Sequence, residues 1–203
     1  MVIFGQDQSA KSYLGEVVLA VNSVTQSEIE GVIDCLVKAI VSENRIWIIG
    51  NGGSSATASH FAADLMRRGN QNKYRVRAAS LSESPTRITA IGNDFGFEEI
   101  FEHQIFNLAN KGDILVSISA SGNSPNLIRG LRSAKSLQVY TVSIVGFLGG
   151  ALKKESDLCL HFFTKEGAYE AAEDSHSIVC HYIAMNVRRI LDEQSHFRHT
   201  PEV

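Results

Sequence analysis

Two short stretches of small polar residues have the composition of anion-binding turns. The first, residues 51–54, follows the apolar run 46–49 and precedes small residues that predict the start of a helix. The second, residues 119–124, contains three serines and is followed by Pro125 near another predicted helix start. Backbone N–H groups and the helix dipole attract negative charge at such turns, and hydroxyls without a nearby lysine suit a phosphomonoester. The alternative for each stretch is ordinary turn or helix-cap chemistry without a ligand.

A histidine and an acid follow the first turn. His60 and Asp64 are four residues apart on the predicted helix, so their side chains share one face. An imidazole nitrogen and a carboxylate oxygen both suit zinc, and an open position on such an ion could polarise a carbonyl group. The alternative is a polar histidine beside the turn and a surface carboxylate. Arg68, one turn beyond Asp64, could neutralise substrate oxygens or end the helix as a solvated residue.

The residues of the two turns and the helix after the first turn lie within a predicted alternation of strands and helices. Apolar residues at three- and four-residue spacing predict two helices within residues 1–43, the second beginning with a capping box between Ser27 and Glu30. Strands are predicted at 46–49, 76–81, 113–119, 139–145 and 158–163, and helices at 54–68, 85–91, 97–108, after Pro125 and at 170–190. The alternation predicts an α/β fold, a doubly wound parallel sheet flanked by helices, with N-terminal helices in addition. Residues 1–203 are expected to form one domain with a flexible tail at 195–203.

The two polar turns belong to the same edge of this predicted sheet. Each follows the carboxyl end of a strand, and the ligands of doubly wound sheets bind where the βα turns gather beyond those ends. We therefore expect residues 51–54 and 119–124 to meet and to form one phosphate-binding site.

The composition narrows the class of protein. A formal charge of −3, with 44% hydrophobic and 20% charged residues, is typical of a globular protein and gives no basic surface for nucleic acid. The three cysteines are widely spaced and predict buried, reduced thiols. The first turn lacks the glycine spacings of nucleoside triphosphate and dinucleotide sites. No segment has the pattern of a signal peptide or a membrane span, so a cytoplasmic protein without a membrane partner is expected.

Four motifs resemble the sugar isomerase (SIS) domain and, within it, the phosphoheptose isomerases. They are GNGGS at 50–54, HFAADL at 60–65, GNDFG at 92–96 and SASGNSPN at 119–126. The resemblance extends from about residue 29 to residue 191. It implies an aldose–ketose isomerase that converts sedoheptulose 7-phosphate to D-glycero-D-manno-heptose 7-phosphate through an enediol, in surface-polysaccharide (lipopolysaccharide) synthesis. It also implies a homotetramer with its sites at subunit contacts.

The resemblance implies roles for individual residues. The substrate-binding residues would be Asn51, Gly52, Gly53, Ser54, Arg68, Asn93, Asp94, Ser119, Ala120, Ser121, Ser124 and Glu173. Within that set, Ser119, Ser121 and Ser124 would hold the phosphate. The ligands of a zinc ion, one per site, would be His60, Asp64, Glu173 and His181. Asp64 and His181 would be the catalytic acid–base pair.

The last predicted helix raises a geometric difficulty for that ligand set. Glu173 and His181 are eight residues apart, which separates their Cα atoms by about 12 Å and their directions by roughly 80° on a regular helix. Sharing one ion needs near-full reach from both side chains, an irregular helix start, or sites built from more than one chain. His176 is a competing ligand. Asp64 and Glu173 also stand where the family has Glu and Gln, which leaves the reaction class in place and the exact phosphosugar open.

A non-catalytic protein is the competing interpretation. The same fold occurs in a bacterial binding factor that associates with the replication initiator protein, and that factor lacks an acid at the position of Asp64. A carboxylate at Asp64 together with His181 favours the enzyme.

Overall fold

Short apolar runs form one parallel sheet in the computed structural model, which describes residues 9–69 and 73–197. The strands are β1 (Arg45–Gly50), β2 (Arg77–Ser80), β3 (Ile114–Ser119), β4 (Tyr140–Val145) and β5 (Leu158–His161). They lie in the order β2-β1-β3-β4-β5, and every neighbouring pair is parallel. The central strand β3 is buried along its whole length, as expected for a strand covered on both faces.

Helices cover both faces of the sheet, as the alternating pattern predicts. They are α1 (Ala10–Val21), α2 (Gln26–Val41), α3 (Gly52–Met66), α4 (Pro85–Asp94), α5 (Glu102–Leu108), α6 (Pro125–Ser136), α7 (Gly150–Glu155) and α8 (Tyr169–Phe197). One core lies between the sheet and α2, α3 and α8, and contains Ile48 and Val116. The other lies beneath α5 and α6 and contains Ile49 and Leu115. The predicted doubly wound fold with N-terminal helices is confirmed.

The strand order changes direction between β1 and β3. From β1 the chain moves outward through α3 to β2, then returns through α4 and α5 to β3 on the other side of β1. It continues outward from β3 to β4 and β5. Ligands of such sheets bind at the carboxyl ends of the strands where the order reverses. Those two ends lead directly into residues 51–54 and 119–124.

Two carboxylates, the buried Asp113 and the more exposed Asp157, fix the opposite, amino end of the sheet. Asp113, which is 3% exposed, accepts hydrogen bonds from the backbone N–H of Arg45 at 2.8 Å and from Trp47 Nε1 at 3.0 Å. Asp157 accepts from both the backbone N–H and the hydroxyl of Thr141, at 2.8 and 2.7 Å. Burial acts to raise the pKa of Asp157, but the bonds from Thr141 and a nearby lysine outweigh it and hold that pKa below its ordinary value.

Three local predictions differ from the structure. The capping box of α2 joins Thr25 and Glu28, not Ser27 and Glu30, because the helix already begins at residue 26. The predicted helix 97–108 divides into a 3₁₀ turn at 97–99 and α5, and the buried Ile100 lies in the bend between them. The sequence did not predict α7.

The last helix extends into the C-terminal tail. The helix α8 continues to Phe197, so the first part of the tail predicted to be flexible is helical. Residues 1–8 and 198–203, which belong to the predicted N-terminal region and tail, lie outside the described residues. Among the helices that are described, none has both the length and the apolar character needed to cross a bilayer.

The three cysteines are unpaired, as the sequence predicts, but only Cys180 is fully buried. Cys35 and Cys159 are partly buried, and this burial raises their thiol pKa values to about 12 and about 11. Thiols with such raised pKa values are poor nucleophiles and poor metal ligands at neutral pH.

Candidate active site

The two polar turns line one cavity. It has a volume of about 140 Å³ and lies beyond the carboxyl ends of β1 and β3. Its lining residues are Asn51, Ser54, Ile118, Ser119, Ala120, Ser121, Ser124, Leu127, Tyr169 and Glu173. The convergence predicted from the strand–turn–helix pattern is therefore what the structure shows. Other depressions of the surface are larger, but this one lies where the strand order reverses.

Both helices that begin at this cavity have unused N-caps. Asn51 and Ser124 are the N-cap residues of α3 and α6, and both residue types usually cap a helix with their side chains. Within the part of the chain that the structure describes, neither side chain does so. The first N–H groups of α3 are thus left for acceptors other than Asn51, and the hydroxyl of Ser124 at the start of α6 can face a ligand.

The serine turn is held in shape by its own hydroxyls and by a third turn. Ser119 Oγ accepts from the N–H of Gly122 at 3.0 Å. Gly122 has a φ of +65° and a Cβ there would overlap the backbone of Gly149, so only glycine fits. The start of α7 packs on this turn, since the N–H of Leu152 donates to Gly122 O at 3.0 Å. The helix that the sequence did not predict therefore supports the site.

An amide pair joins the two turns directly. Asn51 Nδ2 donates to Asn126 Oδ1, and Asn126 Nδ2 donates back to Asn51 Oδ1, each at 2.9 Å. Asn126 is 2% exposed and lies at the second position of α6. Sequence analysis did not identify Asn126 as a site residue, although it belongs to the SASGNSPN motif. An amide directly after the Pro at the start of a helix was the only available signal.

Glu173 lies at the first turn, not beside the histidines. Its carboxylate lies against Gly53, where a Cβ would collide with it, and the N–H of Ser54 stabilises its ionised form. Burial and the neighbouring Glu170 and Asp174 outweigh that bond and raise the pKa of Glu173 above its usual value. The predicted fourth zinc ligand therefore does not join the other three in this chain.

His60, Asp64 and His181 form a compact group on the neighbouring helices α3 and α8. Asp64 Oδ2 lies 3.7 Å from His60 Nε2 and 3.6 Å from His181 Nε2. The two imidazole rings meet edge to face with centroids 4.7 Å apart. Both histidine side chains are more than half exposed, at 59% and 51%, whereas Asp64 is 25% exposed. The group is therefore at the surface of a single chain.

These three residues fit a zinc ion. Ligand atoms at tetrahedral zinc, with bonds of about 2.0–2.1 Å, lie about 3.3–3.4 Å from one another. One donor atom from each of the three side chains already lies within 4.8 Å of the others, and two of the separations are 3.6 and 3.7 Å. Two imidazoles and one carboxylate also form a donor set that leaves a fourth position open.

His176, the competing ligand, points elsewhere. It is fully buried against Phe162, with ring centroids 5.2 Å apart. Neither ring nitrogen has a hydrogen-bond partner among the described residues. Burial lowers the pKa of His176 to about 4 despite the nearby carbonyl of Val145, so the ring is neutral at pH 7. His176 is a packed core residue in this chain.

Helices α3 and α8 run parallel, since residues further along α3 contact residues further along α8. Gly53 meets Glu173, Asp64 meets His181, and Gly69 beyond α3 meets Asp192. The group of His60, Asp64 and His181 thus lies along the same helix pair as the first turn, and His60 is about 12 Å along the α3 axis from its start. This arrangement explains the geometric difficulty in the sequence, because Glu173 and His181 lie at different points along the helix pair.

Three predicted substrate-binding residues lie away from the cavity. Asn93 and Asp94 end α4, are exposed, and bond to each other at 2.8 Å. Arg68 lines a separate depression of about 580 Å³ together with Lys73 and Arg75. The structure of one chain does not bring these residues to the turns, and their roles remain predictions.

The chain matches the SIS domain family over residues 12–146. A probable phosphoheptose isomerase of Thermoplasma acidophilum is 39% identical over 152 residues, which cover 75% of this chain and 84% of that protein. The phosphoheptose isomerase of Aquifex aeolicus is 34% identical over 182 residues, covering 89% of this chain and 93% of that protein.

A solved structure has the same fold. The phosphoheptose isomerase of Francisella tularensis superposes with a TM-score of 0.82 at 24% identity, over 92% of this chain and 100% of that chain. At this level of identity the superposition supports the fold alone, and membership of the family is shown by the sequence matches.

Proposed function

Since the chain belongs to the phosphoheptose isomerase branch of the SIS domain family, we propose that it interconverts sedoheptulose 7-phosphate and D-glycero-D-manno-heptose 7-phosphate. The observation that carries this proposal is the cavity shared by the two turns, with an acid and a histidine on the helix α3 that begins there and a second histidine beside them on α8. The first turn and the cavity suit a phosphosugar, and the acid and histidines suit proton transfer.

The phosphate would bind at the serine turn. Ser121 and Ser124 line the cavity, and Asn126, directly after Pro125, is the first residue of α6 that can offer a backbone N–H. At the other turn the carboxylate of Glu173 already lies near Ser54, and a second anion there would be repelled. Glu173 is suited to accept hydrogen bonds from sugar hydroxyls instead. The substrate is thereby oriented with its phosphate at β3 and its carbon chain toward α3.

Asp64 and His181 would move the protons. The ketose loses a proton from C1 and gains one at C2, while a second proton passes between the oxygens on those carbons. Asp64 would remove the C1 proton and return it to C2. The His181 ring would donate a proton to the C2 oxygen and accept the one from the C1 hydroxyl. The 3.6 Å between Asp64 Oδ2 and His181 Nε2 allows both groups to reach adjacent carbons.

His60, Asp64 and His181 would hold a zinc ion, one per site, through one donor atom each, which leaves the second Asp64 oxygen and the second His181 ring nitrogen for the proton steps. When bound, the ion supplies a Lewis acid for the carbonyl oxygen. The fit of the three donor atoms supports this proposal, and Glu173 would complete the set only after movement of its side chain or through another chain.

We also propose that the protein is a homotetramer. Isomerisation through an enediol needs water excluded, yet His60 and His181 are exposed in one chain. Large apolar side chains are exposed on α1 and α8, among them Leu14, Val18 and Met185. A second copy on these helices would bury the apolar surface, and light scattering of the purified protein measures the oligomeric state.

The test is turnover of sedoheptulose 7-phosphate by purified protein, with aldose formation followed by ion-exchange chromatography. We expect turnover, and loss of turnover after dialysis against a chelator that zinc restores. Absence of turnover on every seven-, six- and five-carbon phosphoketose would overturn the isomerase and leave a non-catalytic binding protein of the same fold.

A further inference from the structure

The amide pair between Asn51 and Asn126 connects two segments that are far apart in the sequence. The two reciprocal bonds, each 2.9 Å, are the direct side-chain link between the turn after β1 and the helix after β3. One partner is fully enclosed, because Asn126 is only 2% exposed. A buried amide with satisfied donors and acceptors has a single favourable orientation.

A backbone group sets the orientation of both amides. The N–H of Leu127 donates to Asn126 Oδ1 at 2.9 Å, so this atom must be the oxygen and not the nitrogen. Asn126 Nδ2 then faces the first turn, where its acceptor must be Asn51 Oδ1. The orientation of Asn51 therefore follows from that of Asn126. One N–H and one lone pair of Asn51 remain unused by the pair.

The remaining groups of Asn51 face a ligand site. Asn51 lines the cavity, whereas Asn126 is not part of its lining. Asn51 is also the N-cap of α3, but its side chain is committed to Asn126 and does not cap the helix. The pairing thus leaves the start of α3 without a cap from its own Asn51, where the Glu173 carboxylate lies instead, and aims a defined donor and acceptor at the cavity.

We propose that Asn126 is a positioning residue, which orients the Asn51 amide toward the sugar and fixes the separation of the two turns. The identity of the sugar phosphate rests on the function proposed above, but the coupling between Asn126 and Asn51 does not. Asn126 acts through Asn51 and touches no substrate. The serine turn holds its own shape through Ser119 and Gly122. Loss of Asn126 should therefore weaken the binding of the sugar more than the binding of the phosphate group.

A double-mutant cycle with two probes tests the proposal. Affinities for sedoheptulose 7-phosphate and for inorganic phosphate are measured by calorimetry for the wild type, Asn51→Ala, Asn126→Ala and the double variant. We expect Asn126→Ala to weaken the affinity for the sugar phosphate about tenfold and the affinity for inorganic phosphate less than about twofold. In the double variant the loss should equal that of Asn51→Ala alone, because the two residues act as one unit.

Asn107→Ala is the matched control. Asn107 donates from its side chain to a carbonyl one helical turn away, is exposed, and lies on α5 away from the turns. We expect it to leave both affinities unchanged. If Asn126→Ala fails to fold, Asn126→Ser keeps a residue suited to a helix start while removing the paired amide.

Three results would overturn the proposal. They are unchanged affinity in Asn126→Ala, additive losses in the double variant, and equal weakening of both probes, which would indicate a general structural role. Failure of the proposed function is a different result. A wild type that binds arabinose 5-phosphate but not sedoheptulose 7-phosphate refutes the substrate, and the cycle is then measured with the sugar that binds. Binding of no phosphosugar would overturn both proposals.

Discussion

The two ends of the sheet satisfy their polar groups in opposite ways. At the amino end, Asp113 and Asp157 accept hydrogen bonds from backbone and side-chain donors of the neighbouring strands. At the carboxyl end, Asn51 and Ser124 leave the helix starts uncapped, and Ser124 faces a cavity. Buried polar groups cost stability unless they are paired. The difference indicates that the amino end stabilises the fold, whereas the carboxyl end leaves polar groups available to the ligand proposed above.

The largest expected effect is on the proposed reactive group of His60, Asp64 and His181, which lies on α3 and α8 beyond the carboxyl end of the sheet. Asp64→Asn and His181→Gln should each lower kcat/KM about 10³-fold, because each removes an acid–base group, with little change in melting temperature. Steady-state kinetics with sedoheptulose 7-phosphate measures the loss.

Matched controls come from another acid–histidine pair with the same spacing. Glu99 and His103 lie 3.4 Å apart on the surface, without a third metal-binding partner among the described residues. Glu99→Gln and His103→Gln should keep full activity. Equal losses in the controls would refute the assignment of the reactive group.

The next largest effect tests the amino end. Asp113→Asn should lower the free energy of unfolding by about 3 kcal/mol, since buried donors lose a charged acceptor. The melting temperature should fall by roughly 10 °C, while kcat/KM per folded molecule stays unchanged. Asp34→Asn, on the exposed face of α2, is the control and should be neutral. A large change in kcat/KM would show that the two ends of the sheet are not separable.

A third prediction concerns the effect of pH on stability through the buried His176. His176 has a pKa lowered to about 4 by burial, whereas an unfolded histidine titrates near about 6.5. Between these values the unfolded chain binds more protons, so stability falls as the pH falls and is fully present above the unfolded value. Wild type should lose about 2 kcal/mol more than His176→Leu between pH 7 and pH 5, measured by urea unfolding. Identical losses would mean that His176 is protonated without cost.

The smallest expected effect is on KM, through the hydroxyl of Ser124 in the serine turn. Ser124→Ala should raise KM about tenfold and change kcat by less than about twofold, because the hydroxyl is proposed to bind the phosphate and not the reacting carbons. Ser136→Ala, whose hydroxyl bonds a carbonyl at the far end of the same helix, should change neither parameter. A fall in kcat without a change in KM would place Ser124 near the chemistry.

Local patterns in the sequence were enough to predict where the strands lie and that the two turns meet at one edge of the sheet. The apolar runs ending at residues 49 and 119 are buried strands, and the topology of a parallel sheet brings their carboxyl ends together. His60 and Asp64 could be paired from helical spacing alone.

Contacts between distant segments could not be derived in this way. The partner of Asn51 is Asn126, and no periodicity links residues in different turns. Glu173 could be placed only once the parallel packing of α3 and α8 was known. The helix α7 was missed because it is short and begins at two glycines with positive φ, which read as a turn.

The contact between Gly53 and Glu173 couples two positions on different helices. A side chain at residue 53 would overlap the carboxylate, so the Glu173 side chain would have to swing away from the start of α3 or be replaced by a shorter residue. The effect of a substitution at residue 53 therefore depends on the residue at 173. A library that varies both positions together would accept residues at 53 more readily than one that varies a single residue at a time.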